Sequence, residues 1–425
     1  MAPTNETNRH SPDLATAAMS TPQPASESAP ASTILTFAPP TAAYIHIPFC
    51  RRRCFYCDFP ISVVGDRTRG DDSGTIRDYV SQLYREIALT PALGQPLQTI
   101  FFGGGTPSLL SAAQVQQVLT ALAHQFGLAP NAEISMEMDP GTFDLAQAQG
   151  YVAAGVTRVS LGAQAFQADL LAACGRTHTP ADIPVAVQVL REAGVTNVSL
   201  DLISGLPGLT VAHWLDSLER AIALDPTHLS VYDLTIEPGT VFGKRYTPGE
   251  APLPSDEATS RMYRAAHDRL TAAGFEHYEI SNYAKLGYQC RHNRVYWENR
   301  AYYGFGMAAA SYVQGQRFSR PRTRAAYYTW LDEQAVVDVE PATFTDQLLD
   351  TLMLGLRLAE GLSLDTLTQQ FGPAVVQRVL TVLEPYRRQG LVNWQDDRLW
   401  FTSPEGFLLS NTMLSALFSE LDAGS

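Results

Sequence analysis

The chain has 425 residues, 45% hydrophobic and 17% charged, a composition that suits one large globular domain plus a smaller one. A formal net charge of −13 excludes broad binding to nucleic-acid phosphates, and five cysteines in this length exclude a disulfide scaffold and predict a reducing, cytoplasmic compartment. No run reaches the roughly 20 apolar residues of a membrane span.

Residues 1–38 are rich in Ala, Ser, Thr and Pro and read as a disordered tail. The segment lacks the apolar stretch of a secretory signal. Arg9 alone, against Glu6, Asp13 and Glu27, is not the Arg-rich, acid-poor pattern of a transit peptide. Residues 39–320 alternate short β-rich runs with amphipathic stretches. The strand candidates are Tyr44–Ile47, Thr99–Phe102, Glu133–Met138, Arg158–Gly162, Asn197–Ile203, Leu229–Ile236 and His277–Ile280. Helices are expected at Ser111–Phe126, where Ser111 and Gln114 form a capping box, at Val211–Leu224 and at Asp256–Ala273. This order predicts an α/β fold, a partial (β/α) barrel on a parallel sheet, with its site at the C-terminal strand ends. Residues 321–425 predict a smaller, mostly helical, winged-helix-like domain. It carries a hairpin turning at Asp396-Asp397 and a last helix from Pro404 to about Leu421.

After the first predicted strand come Cys50, Cys54 and Cys57, spaced C-x3-C-x2-C. A compact loop of this kind can direct three thiolates to one [4Fe–4S] cluster, leaving one iron open to a small molecule. Two other readings stand beside it: a zinc site completed by His46, and a dithiol pair formed by Cys54 and Cys57.

Further candidates follow successive strands. Gly103-Gly104-Gly105-Thr106 allows close backbone approach to a ligand, or a tight turn. Glu137 is a carboxylate in an apolar strand, suited to a hydroxyl or ammonium group or to a salt bridge. Gln164, the Arg176 guanidinium and Asp201 also fall at strand ends. Arg51, Arg52 and Arg53 form a basic run inside the cysteine loop. They read either as a docking patch for an acidic electron donor or as a solvated loop.

Taken together, these motifs resemble those of radical SAM proteins, and across residues 42 to 415 the family of oxygen-independent coproporphyrinogen III oxidases and its relatives. The resemblance implies that Cys50, Cys54 and Cys57 are cluster ligands. Tyr44, Tyr56, Gly104, Gly105, Thr106 and Glu137 then lie near an exchangeable S-adenosyl-L-methionine (SAM). Gln164, Arg176 and Asp201 match polar positions that serve a second SAM in the oxidases. The family's chemistry is one-electron cleavage of SAM to methionine and a 5′-deoxyadenosyl radical. The oxidase branch carries a further Cys two residues after the third ligand, where this sequence has Phe59. That difference, together with the run Arg291-His292-Asn293-Arg-Val-Tyr296-Trp297, resembles the sister branch of haem chaperones (HemW). This branch implies haem as cargo with His292 as the candidate ligand, transfer to an acceptor protein, and a flavodoxin- or ferredoxin-like electron donor. The remaining alternatives are coproporphyrinogen oxidation and radical chemistry on another substrate.

Overall fold

The computed structural model describes residues 38–422 apart from 67–69, 338 and 341, so the tail expected over 1–38 lies outside the described residues except for its last position. Nine strands form one sheet: β1 Ala42–Ile47, β2 Leu97–Gly104, β3 Leu128–Met138, β4 Arg158–Gln164, β5 Asn197–Ser204, β6 His228–Asp233, β7 Glu276–Glu279, β8 Asn282–Ala284 and β9 Tyr303–Phe305. Their order is β9-β1-β2-β3-β4-β5-β6-β8-β7. All pairs from β9 to β6 are parallel, and β8 pairs antiparallel with both β6 and β7. The strands are apolar runs because helices cover the outer face of a parallel sheet while the inner face is enclosed.

The helix Ala112–Phe126 forms as expected. Gln114 N donates to Ser111 Oγ at 3.2 Å and Ser111 N donates to Gln114 Oε1 at 3.0 Å, which satisfies two amides at the helix start. Its buried face is Val115, Val118, Leu119 and Leu122, at helical spacing. The sixth strand is shorter than the run Leu229–Ile236. Its neighbour β5 ends at Ser204 opposite Asp233, and the pairing stops after Leu234 N donates to Ser204 O at 3.0 Å.

The seam between β1 and β9 is clamped from outside. Glu86 accepts from Arg320 Nε at 2.7 Å, from Tyr327 Oη at 2.6 Å and from Gly306 N at 2.7 Å, all in the interior. The barrel interior is plugged against β2 and β3 by the short helix Arg291–Trp297, whose first amides, Arg291 N and His292 N, each donate to Glu133 at 3.1 Å.

The helix Arg324–Asp332 differs from the expected partition at residue 321. Its Tyr327 and Leu331 fill the barrel core, because the amphipathic stripe faces Glu86 and Tyr79 rather than the later helices. A separate core begins at Leu348 and draws on the helices Phe344–Gly355, Leu364–Phe371, Pro373–Arg388 and Ser410–Asp422. It includes the hairpin Val392–Gln395 with Arg398–Phe401, to which Leu362–Ser363 adds a third short strand. The last helical stretch is split into Glu405–Leu408 and Ser410–Asp422.

Candidate functional site

A cavity of about 400 Å³ opens at the C-terminal ends of β2 to β6. Cys50, Cys54, Cys57, Tyr56, Gly104, Gly105, Thr106, Glu137, Gln164, Arg176 and Asp201 all line it. The sheet brings them together because each lies in the C-terminal half of a parallel strand or in the segment that follows one.

The cysteine loop is tied down on several sides. Gly105 N donates to Ile47 O at 2.9 Å and Thr106 N to Phe49 O at 2.7 Å, joining the loop's start to the glycine turn. Phe55 N donates to Cys174 O, and Phe242 N to Phe55 O, both at 2.9 Å. Arg53 reaches back across the loop to donate to the carbonyls of Cys57, Phe59 and Ile61 at 3.0–3.3 Å. Arg51 donates to Gly141 O at 3.0 Å, and Arg52 pairs with Asp66 at 2.6 Å. The basic run is thus largely engaged in holding its own loop.

All five cysteines are free thiols. Cys50 Sγ accepts from Thr106 Oγ1 and Cys54 Sγ from Arg176 Nη1, each at 3.6 Å. Burial pushes the Cys50 thiol up to about 12, so a soft cation is what would hold it as thiolate. Among the described residues, no three His, Cys, Asp or Glu side chains converge as for a single ion. His46 is not free to complete a zinc set: Nδ1 meets Tyr44 Oη and Nε2 meets Pro60 O, both at 3.1 Å. A cubane, whose thiolates bind separate irons, fits the donor set better than one zinc ion.

The glycine turn has a steric cause. Gly104 has φ +108°, and a Cβ there would lie 2.4 Å from the His46 ring. A Cβ on Gly105 would meet the carbonyls of Phe49 and Ile47 at 2.7 and 2.8 Å. Glu137 accepts from Gly104 N at 2.9 Å. Burial, with the Asp201 carboxylate next in effect, pushes Glu137 up to about 8. Asp201 is also raised by burial, although the hydroxyls of Ser230, Ser160 and Ser199 favour its charged form. Of those hydroxyls, Ser160 Oγ donates at 2.9 Å.

Arg176 is already paired. Its guanidinium closes on Asp139 and donates to Gly162 O at 2.9 Å. A Cβ on Gly162 would crowd Asp139, Gln164 and Arg176 within 2.9–3.1 Å, so glycine is what lets the three converge. Gln164 sits at φ 65°, a left-handed conformation uncommon for a residue with a side chain, at the cavity wall.

Asp139 and Ser160 are site residues that the motif reading passed over. Both continue the inward line of their strands at spacing two, Glu137 to Asp139 and Ser160 to Gly162 to Gln164, and that period could have found them. The carboxyl groups of Glu137, Asp139 and Asp201 lie on the strand side of the cavity, where Arg176 is taken up by Asp139, while Arg51, Arg52 and Arg53 line the cysteine-loop side; the strand side suits a ligand group carrying positive charge and hydroxyls.

Two expected residues lie outside this lining. Tyr44 stands behind it, its hydroxyl on His46. His292 is fully buried inside the barrel, with Nδ1 at 2.8 Å from Thr99 Oγ1 and Nε2 at 2.8 Å from Tyr296 Oη. Neither ring nitrogen is free to ligate iron in this arrangement. Cys290, its neighbour, is buried against Glu133 at 3.7 Å.

Residues 44–221 match the Radical SAM superfamily and residues 343–409 match the HemN C-terminal domain. Heme chaperone HemW of Synechocystis is 48% identical over 411 residues, covering 91% of this chain and 98% of its own length. The chain belongs to the HemW family. Relatives of the same name from Bacillus subtilis and Escherichia coli are each 35% identical, covering 89% and 90% of this chain and 100% and 99% of theirs. Among solved structures, the radical SAM enzyme coproporphyrinogen III oxidase (HemN) from Escherichia coli superposes with a TM-score of 0.76 at 24% identity, covering 90% of each chain. That likeness establishes the shared fold: a radical SAM α/β domain on a parallel sheet, followed by a helical C-terminal domain. No helix among the described residues is long and apolar enough to cross a membrane.

Proposed function

We propose that this HemW-family chain is a haem chaperone that binds haem and passes it to an acceptor protein, with a three-cysteine [4Fe–4S] cluster and exchangeable SAM in its barrel cavity. The observation that carries the cofactor reading is the convergence of three cysteine thiols, a glycine turn and the carboxyl groups of Glu137 and Asp201 on one cavity. The cargo reading rests on the relatives' name and on Phe59, which stands at the loop position where the oxidase branch has its additional cysteine.

Cys50, Cys54 and Cys57 would hold the cluster. Thr106 and Arg176 donate toward two of the sulfurs and stabilise their negative charge. Glu137 and the backbone of Gly104 and Gly105 face the place for an ammonium group, and Asp201 and Gln164 offer acceptors for hydroxyls. Together these cofactors supply one-electron chemistry at a sulfonium, while the protein orients the ligand and limits water. Because Arg176 is neutralised by Asp139, it serves to fix that acid and Cys54 rather than to bind a second ligand's carboxylate. An acidic flavodoxin- or ferredoxin-like donor would approach over Arg51–Arg53 at the mouth, and a thiolate-held cluster accords with a reducing, cytoplasmic compartment.

The test is anaerobic. The cluster is reconstituted, haem is titrated by absorbance, and coproporphyrinogen III consumption is assayed on the same sample with SAM and reductant. Stoichiometric haem binding without porphyrinogen turnover is expected. Turnover would replace the chaperone with an oxidase that dispenses with the additional cysteine.

A further inference from the structure

The helix Arg291–Trp297 has two faces with different neighbours. His292 and Tyr296, four residues apart, point into the barrel. Arg294 and Trp297 face the C-terminal domain, where Arg294 pairs with Glu360 and the Arg357 guanidinium lies 5.9 Å from the Trp297 ring. The inward face continues as a packed column. The His292 ring stacks on Phe101 at 5.3 Å between centroids, and Phe101 stacks at 6.3 Å on Tyr44, its partner in the β1–β2 register. Phe101, Tyr44 and Glu137 then meet over Gly103, where an added Cβ would lie 2.9, 3.0 and 3.2 Å from them. The column therefore runs from the plugged end of the barrel to the carboxylate on the cavity wall, and each ring has the next as its support.

We propose that His292 is a positioning residue, which through Phe101 and Tyr44 sets the place of Glu137 in the cavity, and that it is not the haem ligand. Its two hydrogen bonds, to Thr99 and Tyr296, lock the ring plane against Phe101. This inference rests on the proposed reading in which Glu137 faces an ammonium group of SAM. The charged and titratable groups around Glu137 are Asp201, Asp139, Arg158, Tyr44, Tyr232 and Tyr296, and of these Tyr296 alone is hydrogen-bonded to His292.

The experiment uses the full, reconstituted chain and the variants His292→Ala, His292→Gln and Tyr296→Phe. Gln can keep hydrogen bonds to Thr99 or Tyr296, and Phe leaves the packing while removing one bond. SAM binding is measured at equilibrium from pH 6 to 9, and haem is titrated by absorbance. Expected are SAM binding weakened about tenfold in His292→Ala, a smaller loss in the other two, and a changed pH midpoint for that binding. Haem stoichiometry and the Soret position should be the same in all. A Soret change or haem loss in His292→Gln with SAM binding intact would overturn the proposal, as would unaltered SAM binding and pH midpoint in every variant. If His292→Ala fails to fold, the two milder variants decide. A wild-type chain that binds no SAM would sink the parent reading alone. The positioning claim would then be decided on the ligand-free protein, by whether the pH-dependent stability difference between wild type and Glu137→Gln is altered by His292→Gln or is unchanged.

Discussion

Arg176 closes on the Asp139 carboxylate directly behind the cysteine loop while another of its nitrogens touches Cys54 Sγ. One buried cation thus joins an acid at the end of β3 to a thiol of the loop after β1. Removing it leaves Asp139 and Cys54 without that donor. Arg176→Ala should destabilise the ligand-free protein by about 3 kcal/mol. The double variant with Asp139→Ala should cost less than the sum of the two single changes, measured by denaturant unfolding.

The Glu86–Arg320 pair is more deeply buried, with side-chain exposures of 1% and 3%. Arg320→Met would strand the Glu86 carboxylate in the β1–β9 seam and should cost about 3–5 kcal/mol. A variant with unchanged unfolding midpoint would show that the seam does not depend on this clamp.

Glu137 has a testable pH signature. Its folded value of about 8 stands above its ordinary value of 4.5, so its contribution to stability is fully present below 4.5 and is lost as pH rises through 8. Glu137→Gln should therefore gain stability relative to wild type as pH goes from 5 to 9. An ammonium-bearing ligand favours the charged carboxylate. SAM binding near pH 7 should accordingly release a proton, read by calorimetry in buffers of different ionisation enthalpy, and Glu137→Gln should abolish that release.

At Gln164 the φ of 65° strains any residue with a Cβ, by about 1 kcal/mol. Glycine removes that strain, and its freedom in the unfolded chain offsets roughly 0.4–1 kcal/mol of the gain. Gln164→Gly should keep wild-type stability to within about 0.5 kcal/mol, whereas Gln164→Ala should not improve on wild type. Both should weaken SAM binding alike if the amide, not the backbone shape, meets the ligand.

Arg52 and Arg53 should behave differently despite adjacency. Arg53 holds three loop carbonyls, so Arg53→Ala should speed cluster loss from the reconstituted protein, followed by visible absorbance. Arg52 forms an exposed pair with Asp66, so Arg52→Ala should leave cluster retention as it was. Equal loss in both would mean that the charge of the run, rather than the hydrogen bonds of Arg53, holds the loop.

The parallel strands were legible where they hold a buried apolar run, as in Leu97–Gly104, and the helix from Ala112 because its capping box is written in four residues. The strands Asn282–Ala284 and Tyr303–Phe305 were not legible, since three residues carry no period and their pairing depends on what the sheet edge offers. Tyr327 and Leu331 read as helical, yet the stripe alone did not say which core it would fill.

For the site, local sequence was sufficient wherever the chemistry lies in one loop or one strand end. The spacing of Cys50, Cys54 and Cys57, the glycine turn and the inward carboxylate of Glu137 are properties of short segments. Parallel strand order carries them to a common rim. Tertiary structure alone decided which polar groups were already spent. Arg176 and Asp139 are 37 residues apart in sequence and pair with one another. His292 and Thr99 are 193 residues apart, and their hydrogen bond turns a plausible iron ligand into a buried strut. The reason is physical: a side chain's type states what it can bind, but burial compels it to bind something, and only the folded chain settles which partner is within reach.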